Sequence, residues 1–207
     1  MGFGRFFGFN DTAASVVVVF DISGSMINRG LSPENYNVLE TEIIRLIESL
    51  PLGSRFGLVA FGDRAESYAA SLRTSNRTEK DRAVSWLKSL NPGLAIKNPA
   101  GKEDLSLAFW KDYRSGFHAG TRADLGLRAA LKLAPDIVYF VSDGDPTFNG
   151  HGLLARNPDQ LLQVVQEWQE KNREPIPITT ISFKSPKRLV FMEALAKQNK
   201  GEHRVVE

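Results

Sequence analysis

No cysteine occurs among the 207 residues, which excludes disulfides, thiolate metal sites and a cysteine nucleophile. The cellular compartment stays open, because a cysteine-free domain folds on either side of a membrane. No apolar run is long enough to span a bilayer. The aromatic, glycine-rich opening MGFGRFFGFN lacks the apolar core and cleavage site of a signal peptide. Phe6 also stands where an N-myristoylation motif requires Ser or Thr. An excess of one charge is missing too: 26 Lys and Arg stand against 24 Asp and Glu, interspersed, for a net charge of +2. That gives no basic footprint for nucleic acid. No Gly-x-Gly-x-x-Gly follows the first apolar run, which excludes the common dinucleotide fingerprint. Ser23 and Ser25 lack the glycines of a nucleophile elbow.

What is present reads as one α/β domain of ordinary core size. Apolar runs with strand character are Val16–Phe20, Phe56–Phe61, Glu66–Ala70, Ile137–Val141, Ile178–Phe183 and His203–Val206. Helical patterns lie between them, which predicts a doubly wound, mostly parallel six-stranded sheet with helices on both faces. Three helix starts share a capping residue followed by proline: Ser32-Pro33, Asn157-Pro158 and Ser185-Pro186. After Pro33, the residues Val38, Leu39, Ile43, Leu46, Ile47 and Leu50 form one stripe. After Pro158, Leu161, Leu162, Val164, Val165 and Trp168 do the same. Thr78–Leu90, Thr121–Leu133 and Pro186–Asn199 supply the other helices, the last closed by Gly201. The second and third strands are too close for a parallel crossover, so they form an antiparallel hairpin and leave one short antiparallel edge strand.

Residues 1–15 form an N-terminal arm in which Phe3, Phe6, Phe7 and Phe9 pack against the domain of residues 16–207. Residues 91–119 exceed what a compact connection needs. Their Leu105, Ala108, Phe109, Tyr113 and Phe117 recur at helical spacing, so the segment is an insertion carrying an amphipathic helix.

The chemistry concentrates in Ser15–Met26, SVVVVFDISGSM. A buried parallel strand brings the polar residues after it to the C-terminal edge of the sheet, where open α/β sheets bind ligands. Asp21, Ser23 and Ser25, with Gly24 between the serines, offer one carboxylate and two hydroxyls to a hard cation. Gly120-Thr121 opens a later helix, and Asp143 follows the strand Ile137–Val141.

These five positions, Asp21, Ser23, Ser25, Thr121 and Asp143, resemble the metal-ion-dependent adhesion site of von Willebrand factor A (vWA) domains, in the style of bacterial members. The resemblance covers about Val16 to Val206 and implies a Rossmann-like fold with an antiparallel edge strand. It implies that the hydroxyls of Ser23, Ser25 and Thr121 contact a Mg²⁺ ion, with Mn²⁺ or Ca²⁺ as alternatives. Asp21 and Asp143 would hold it largely through water. Neutral hydroxyls leave a divalent cation under-neutralised, so such a site captures an anionic oxygen from outside. The implied partner is a protein presenting an Asp or Glu carboxylate, with no nucleic acid and no direct membrane insertion. An extracytoplasmic module tethered by sequence outside this chain is one arrangement. Family members usually continue into a final helix that couples the site to the rest of the protein, and this sequence stops before one.

Trp110 and Tyr113 in the insertion are candidate partner anchors, with closing of the core as the plain structural reading. Asp63, Asp145 and Asp124 fit turn and helix-dipole roles. His118 and His151 are poor ligands for an oxygen site. Two alternatives to a non-enzymatic binding module stand beside it. A haloacid-dehalogenase-like phosphoryl-transfer enzyme needs a second acid where Ser23 stands, and no lysine plainly fills its phosphate-neutralising place, with Lys132 and Lys184 left open. A metal-free scaffold domain would leave the motif without use.

Overall fold

One strand with two apolar faces organises the molecule in the computed structural model, which describes residues 6–7, 13–23, 26, 33–90, 120–144, 146–147, 154–155, 157–183 and 190–206. Strand β1, Ser15–Asp21, is buried along its whole length. Successive side chains of a strand point to opposite faces. Val16, Val18 and Phe20 therefore enter one core while Val17 and Val19 enter another. A strand that buries both faces needs β-branched residues throughout, and the valine run supplies them.

Strands β2 (Arg55–Phe61), β3 (Ala65–Ser67), β4 (Arg73–Thr74), β5 (Ile137–Ser142), β6 (Ile178–Phe183) and β7 (His203–Val206) complete the sheet. Its order is β3-β2-β1-β5-β6-β7, with β4 also paired to β2. β1 runs parallel to β2 and β5, β5 to β6, and β6 to β7. Both β3 and β4 pair antiparallel with β2.

The fold class follows the sequence reading, while the expected edge strand Glu66–Ala70 is corrected: two short strands share its lane. A Cβ on Gly57 would lie 3.3 Å from Leu72 Cδ2 and 3.0 Å from Leu133 Cδ1. Leu72 folds over that glycine into the second core, and the chain leaves the ladder between Ser67 and Arg73 to let it do so.

Helices α1 (Pro33–Ser49) and α2 (Arg77–Ser89) pack against each other, and their buried residues Leu39, Ile43, Leu46, Ala83 and Leu87 join the first core. Helices α3 (Ala123–Lys132), α4 (Pro158–Gln169) and α5 (Val190–Gln198) serve the second. The α1 stripe needs one correction: Val38 is 43% exposed, and Tyr36 takes the buried place one turn earlier. Asn76 and Asn157 cap α2 and α4 by accepting from the backbone N–H groups of Glu79 and Gln160. The expected helix from Thr121 begins instead at Ala123, with no side-chain cap.

Gly201 does close α5, since its N–H donates to Ala196 O at 3.0 Å, but Lys200 takes the left-handed conformation there. The glycine is required by proximity, because a Cβ on it would sit 2.0 Å from Ile178 O. Of the arm aromatics, Phe6 is fully buried with its ring 4.9 Å from that of Tyr139, and Phe7 lies 5.8 Å from Phe183. Phe3 and Phe9 fall outside the described residues. Among the described residues, no helix is long and apolar enough to cross a membrane.

Candidate metal centre

Parallel neighbours β1 and β5 end side by side, with Phe20 opposite Val141. Asp21 therefore meets Ser142, whose Oγ donates to Asp21 Oδ2 at 2.6 Å. The other carboxylate oxygen, Oδ1, accepts the Ser23 backbone N–H at 2.7 Å. That bond folds the chain back at the strand end and brings Ser23 over the sheet edge. Across the rim, Thr121 Oγ1 lies 3.3 Å from Ser23 Oγ.

Thr121 is fixed from two sides. Its N–H donates to Thr147 Oγ1 at 2.7 Å, and its C=O accepts the Thr147 N–H at 3.0 Å. The next residue, Arg122, donates its N–H to Gly62 O at 2.7 Å, in the turn after β2. Gly120 is squeezed between those loops, since a Cβ there would come within 2.4 Å of Asp63 Oδ1. The segments after β1, β2 and β5 and the one before α3 thus meet at the C-terminal edge of the sheet.

Asp21, Ser23, Thr121 and Ser142 are all buried. Burial, with Asp143 close by as a second negative charge, pushes the Asp21 carboxyl from the usual 3.8 up to about 7. The hydrogen bonds from Ser142 and Ser23 oppose that rise without overcoming it. Among the described residues, no cation is one of the groups that set this value. A buried carboxylate beside another carboxylate, with hydroxyls at hand, is a donor set of hard oxygens that fits a divalent cation.

A cation next to Thr121 is engaged by another carboxylate. Arg122 Nε and Nη2 each donate at 2.8 Å to the two oxygens of Asp124, and both side chains are nearly enclosed. Asp124 Oδ2 also accepts the Leu154 N–H at 3.2 Å. This clamp ties the Thr121 segment to the loop before α4. Asp124 carries more than the helix-dipole role read from the sequence, and Arg122 is a residue that reading missed. The i, i+2 spacing of the pair falls outside the helical pairing rule that would have flagged it. Ser142 and Thr147 were missed as well, although a serine ending a buried strand beside Asp143 was a usable signal. Ser25, Trp110, Tyr113, His118, Asp145 and His151 lie outside the described residues.

Residues 16–145 match the family description "von Willebrand factor type A domain". The chain belongs to the vWA family. It is 26% identical over 197 residues to the inter-alpha-trypsin inhibitor heavy chain H1 of Sus scrofa, covering 90% of this chain and 18% of that protein. The chain thus spans about a fifth of the length of that curated relative. A von Willebrand factor type A structure from Catenulispora acidiphila aligns with a TM-score of 0.59 at 15% identity, over 95% of this chain and 39% of that one. The conserved hypothetical protein BatB of Bacteroides thetaiotaomicron aligns with a TM-score of 0.57 at 16% identity, over 93% and 90%. Proximal thread matrix protein 1 from the mussel byssus, with a zinc-occupied MIDAS motif, aligns with a TM-score of 0.54 at 17% identity, over 95% and 44%. At such identities the likeness of the structures is one of fold. vWA domains are generally adhesion or interaction modules rather than enzymes, and they can hold a divalent metal, as the zinc-bound neighbour does.

Proposed function

We propose that this vWA domain is a divalent-metal-dependent protein-binding module, of bacterial type, that captures an acidic side chain of its partner. The observation that carries the reading is the Asp21 carboxyl, buried beside Asp143 and the Ser23 and Ser142 hydroxyls and raised to about 7. Asp21, Ser23, Ser25, Thr121 and Asp143 form the complete ligand set in this proposal, with Mg²⁺ as the cation. When bound, the cation supplies positive charge and a coordination position open to an anionic oxygen.

Each residue then has its own work. Asp21 orients Ser23 through the backbone N–H it accepts and supplies negative charge from below. Asp143 adds a second charge at the rim. Thr121, locked by Thr147, holds its hydroxyl beside that of Ser23. The insertion 91–119, with Trp110 and Tyr113 as anchors, selects the partner on this rigid base. Extracytoplasmic display by flanking sequence completes the proposal.

The test combines melting and capture. Mg²⁺ or Mn²⁺ is expected to raise the melting temperature relative to EDTA, and Thr121→Ala to abolish the rise. Partners captured from the source organism in Mg²⁺ should be released by EDTA and competed by excess acetate. A melting curve unchanged by Mg²⁺, Mn²⁺ and Ca²⁺ alike would overturn the metal reading, and capture indifferent to EDTA would overturn the grip.

A further inference from the structure

The far end of α3 carries a second feature that the metal site does not use. A cleft of about 220 Å³ opens between α3 and α4, lined by Arg128, Leu131, Lys132, Trp168, Lys171 and Asn172. α3 starts two residues after Thr121 and ends at Lys132. At 1.5 Å per residue its ten residues put the cleft about 15 Å away along the helix from the metal rim.

Three exposed positive side chains line the cleft, and no carboxylate is among its described lining residues. Among the described residues, the side chains of Arg128, Lys132 and Lys171 make no hydrogen bond or ion pair, and neither does the indole N–H of Trp168. Trp168 is half-buried, its ring packed against the second core. The indole is therefore held in place by its packing, independently of any ligand.

The electrostatic balance favours an anion of more than one charge. Two helices end at the cleft, and each C-terminus brings a partial charge of about −0.5. Three full cations outweigh that by about two charges. A lone carboxylate would leave half of this excess unmatched, whereas a phosphate monoester carries about −1.5 to −2 and three acceptor oxygens. The cleft, room for several waters, holds a phosphate with a ring or short carbon body. Leu131 and Trp168 give that body an apolar wall.

We propose that this cleft binds a dianionic phosphomonoester on a small organic body, separately from the metal site. The phosphate sits among Arg128, Lys132 and Lys171, and the organic body lies against Trp168.

The experiment is a titration of phenyl phosphate in EDTA, so that no metal is present to take the anion, followed by the indole proton resonances in NMR. The chain has three tryptophans, and a Trp168→Phe variant assigns the signal. A saturable shift of the Trp168 resonance is expected, weaker binding of inorganic phosphate, and no shift with phenol. Lys132→Ala with Lys171→Ala should weaken binding about a hundredfold, at about tenfold per charge-assisted contact, with the melting temperature unchanged. No saturable shift, or a shift that survives the double substitution, overturns the proposal. Equal binding of inorganic phosphate and phenyl phosphate overturns the place given to the organic body.

Discussion

Replacing Asp21 by Asn should make the metal-free protein more stable at neutral pH. The Asp21 carboxyl lies at about 7 in the folded chain against a usual 3.8. The folded state therefore keeps a proton between those values that the unfolded state has lost. Stability falls as pH rises through that window, by about 1.4 kcal/mol per pH unit from this one group, and levels off above about 7. The whole effect is about 4 kcal/mol, or about 10 °C in melting temperature for a domain of this size. Asn removes the charge and retains the geometry. Its Oδ1 still accepts from Ser23, and its amide donates to Ser142 Oγ, whose proton turns to Gly144 O, 3.1 Å away. Urea unfolding in EDTA at pH 5, 6, 7 and 8 measures the difference between wild type and variant. The variant's advantage should grow from pH 5 to 7 and then hold, while Mg²⁺ should stabilise wild type alone. The acid limb of the curve belongs to other groups, such as Glu79, held down to about 2 chiefly by its hydrogen bond from Arg73. An advantage independent of pH, or none at pH 8, would refute the argument that Asp21 is a costly buried charge awaiting a cation.

Asp124→Asn takes from the enclosed Arg122 guanidinium the carboxylate it grips with two hydrogen bonds, leaving Asp63 as a weaker counter-charge, and should cost about 3 kcal/mol. It should also shrink the Mg²⁺-induced stabilisation, because Thr121 loses its anchored neighbour; urea unfolding with and without Mg²⁺ reads both, and a loss under about 1 kcal/mol would contradict the clamp. Gly201→Ala drives a methyl into the Ile178 carbonyl 2.0 Å away and should destabilise by about 3 kcal/mol, read as an earlier melting transition at any metal concentration.

The sheet was legible because its signals are local. The valine run of β1, the proline-led start of α4 and the short gap between β2 and β3 each fix an element from a few residues. The split of the edge lane was not, because it depends on Leu72 reaching Gly57, a contact between residues fifteen apart that no periodicity encodes. Val38 was placed in the core on spacing alone but lies beside the buried stripe, which Tyr36, one turn before Leu39, extends instead. Of the candidate site, Asp21, Ser23, Thr121 and Asp143 were named from their order along the chain, and the structure brings them to one edge of the sheet. Ser142, Thr147 and the Arg122–Asp124 clamp could not be, because their importance comes from which loops the fold lays beside one another.

The contact between the arm and the last strand has a mechanical consequence. Arg204 Nη1 donates to Phe7 O, and Phe183, beside Phe7, pairs with Val206. Residues 7 and 206 thus lie at one corner, on the same C-terminal edge of the sheet as the proposed metal rim. Tension applied through both flanks would load that corner first, breaking the arm's grip and then peeling β7 from β6 one rung at a time.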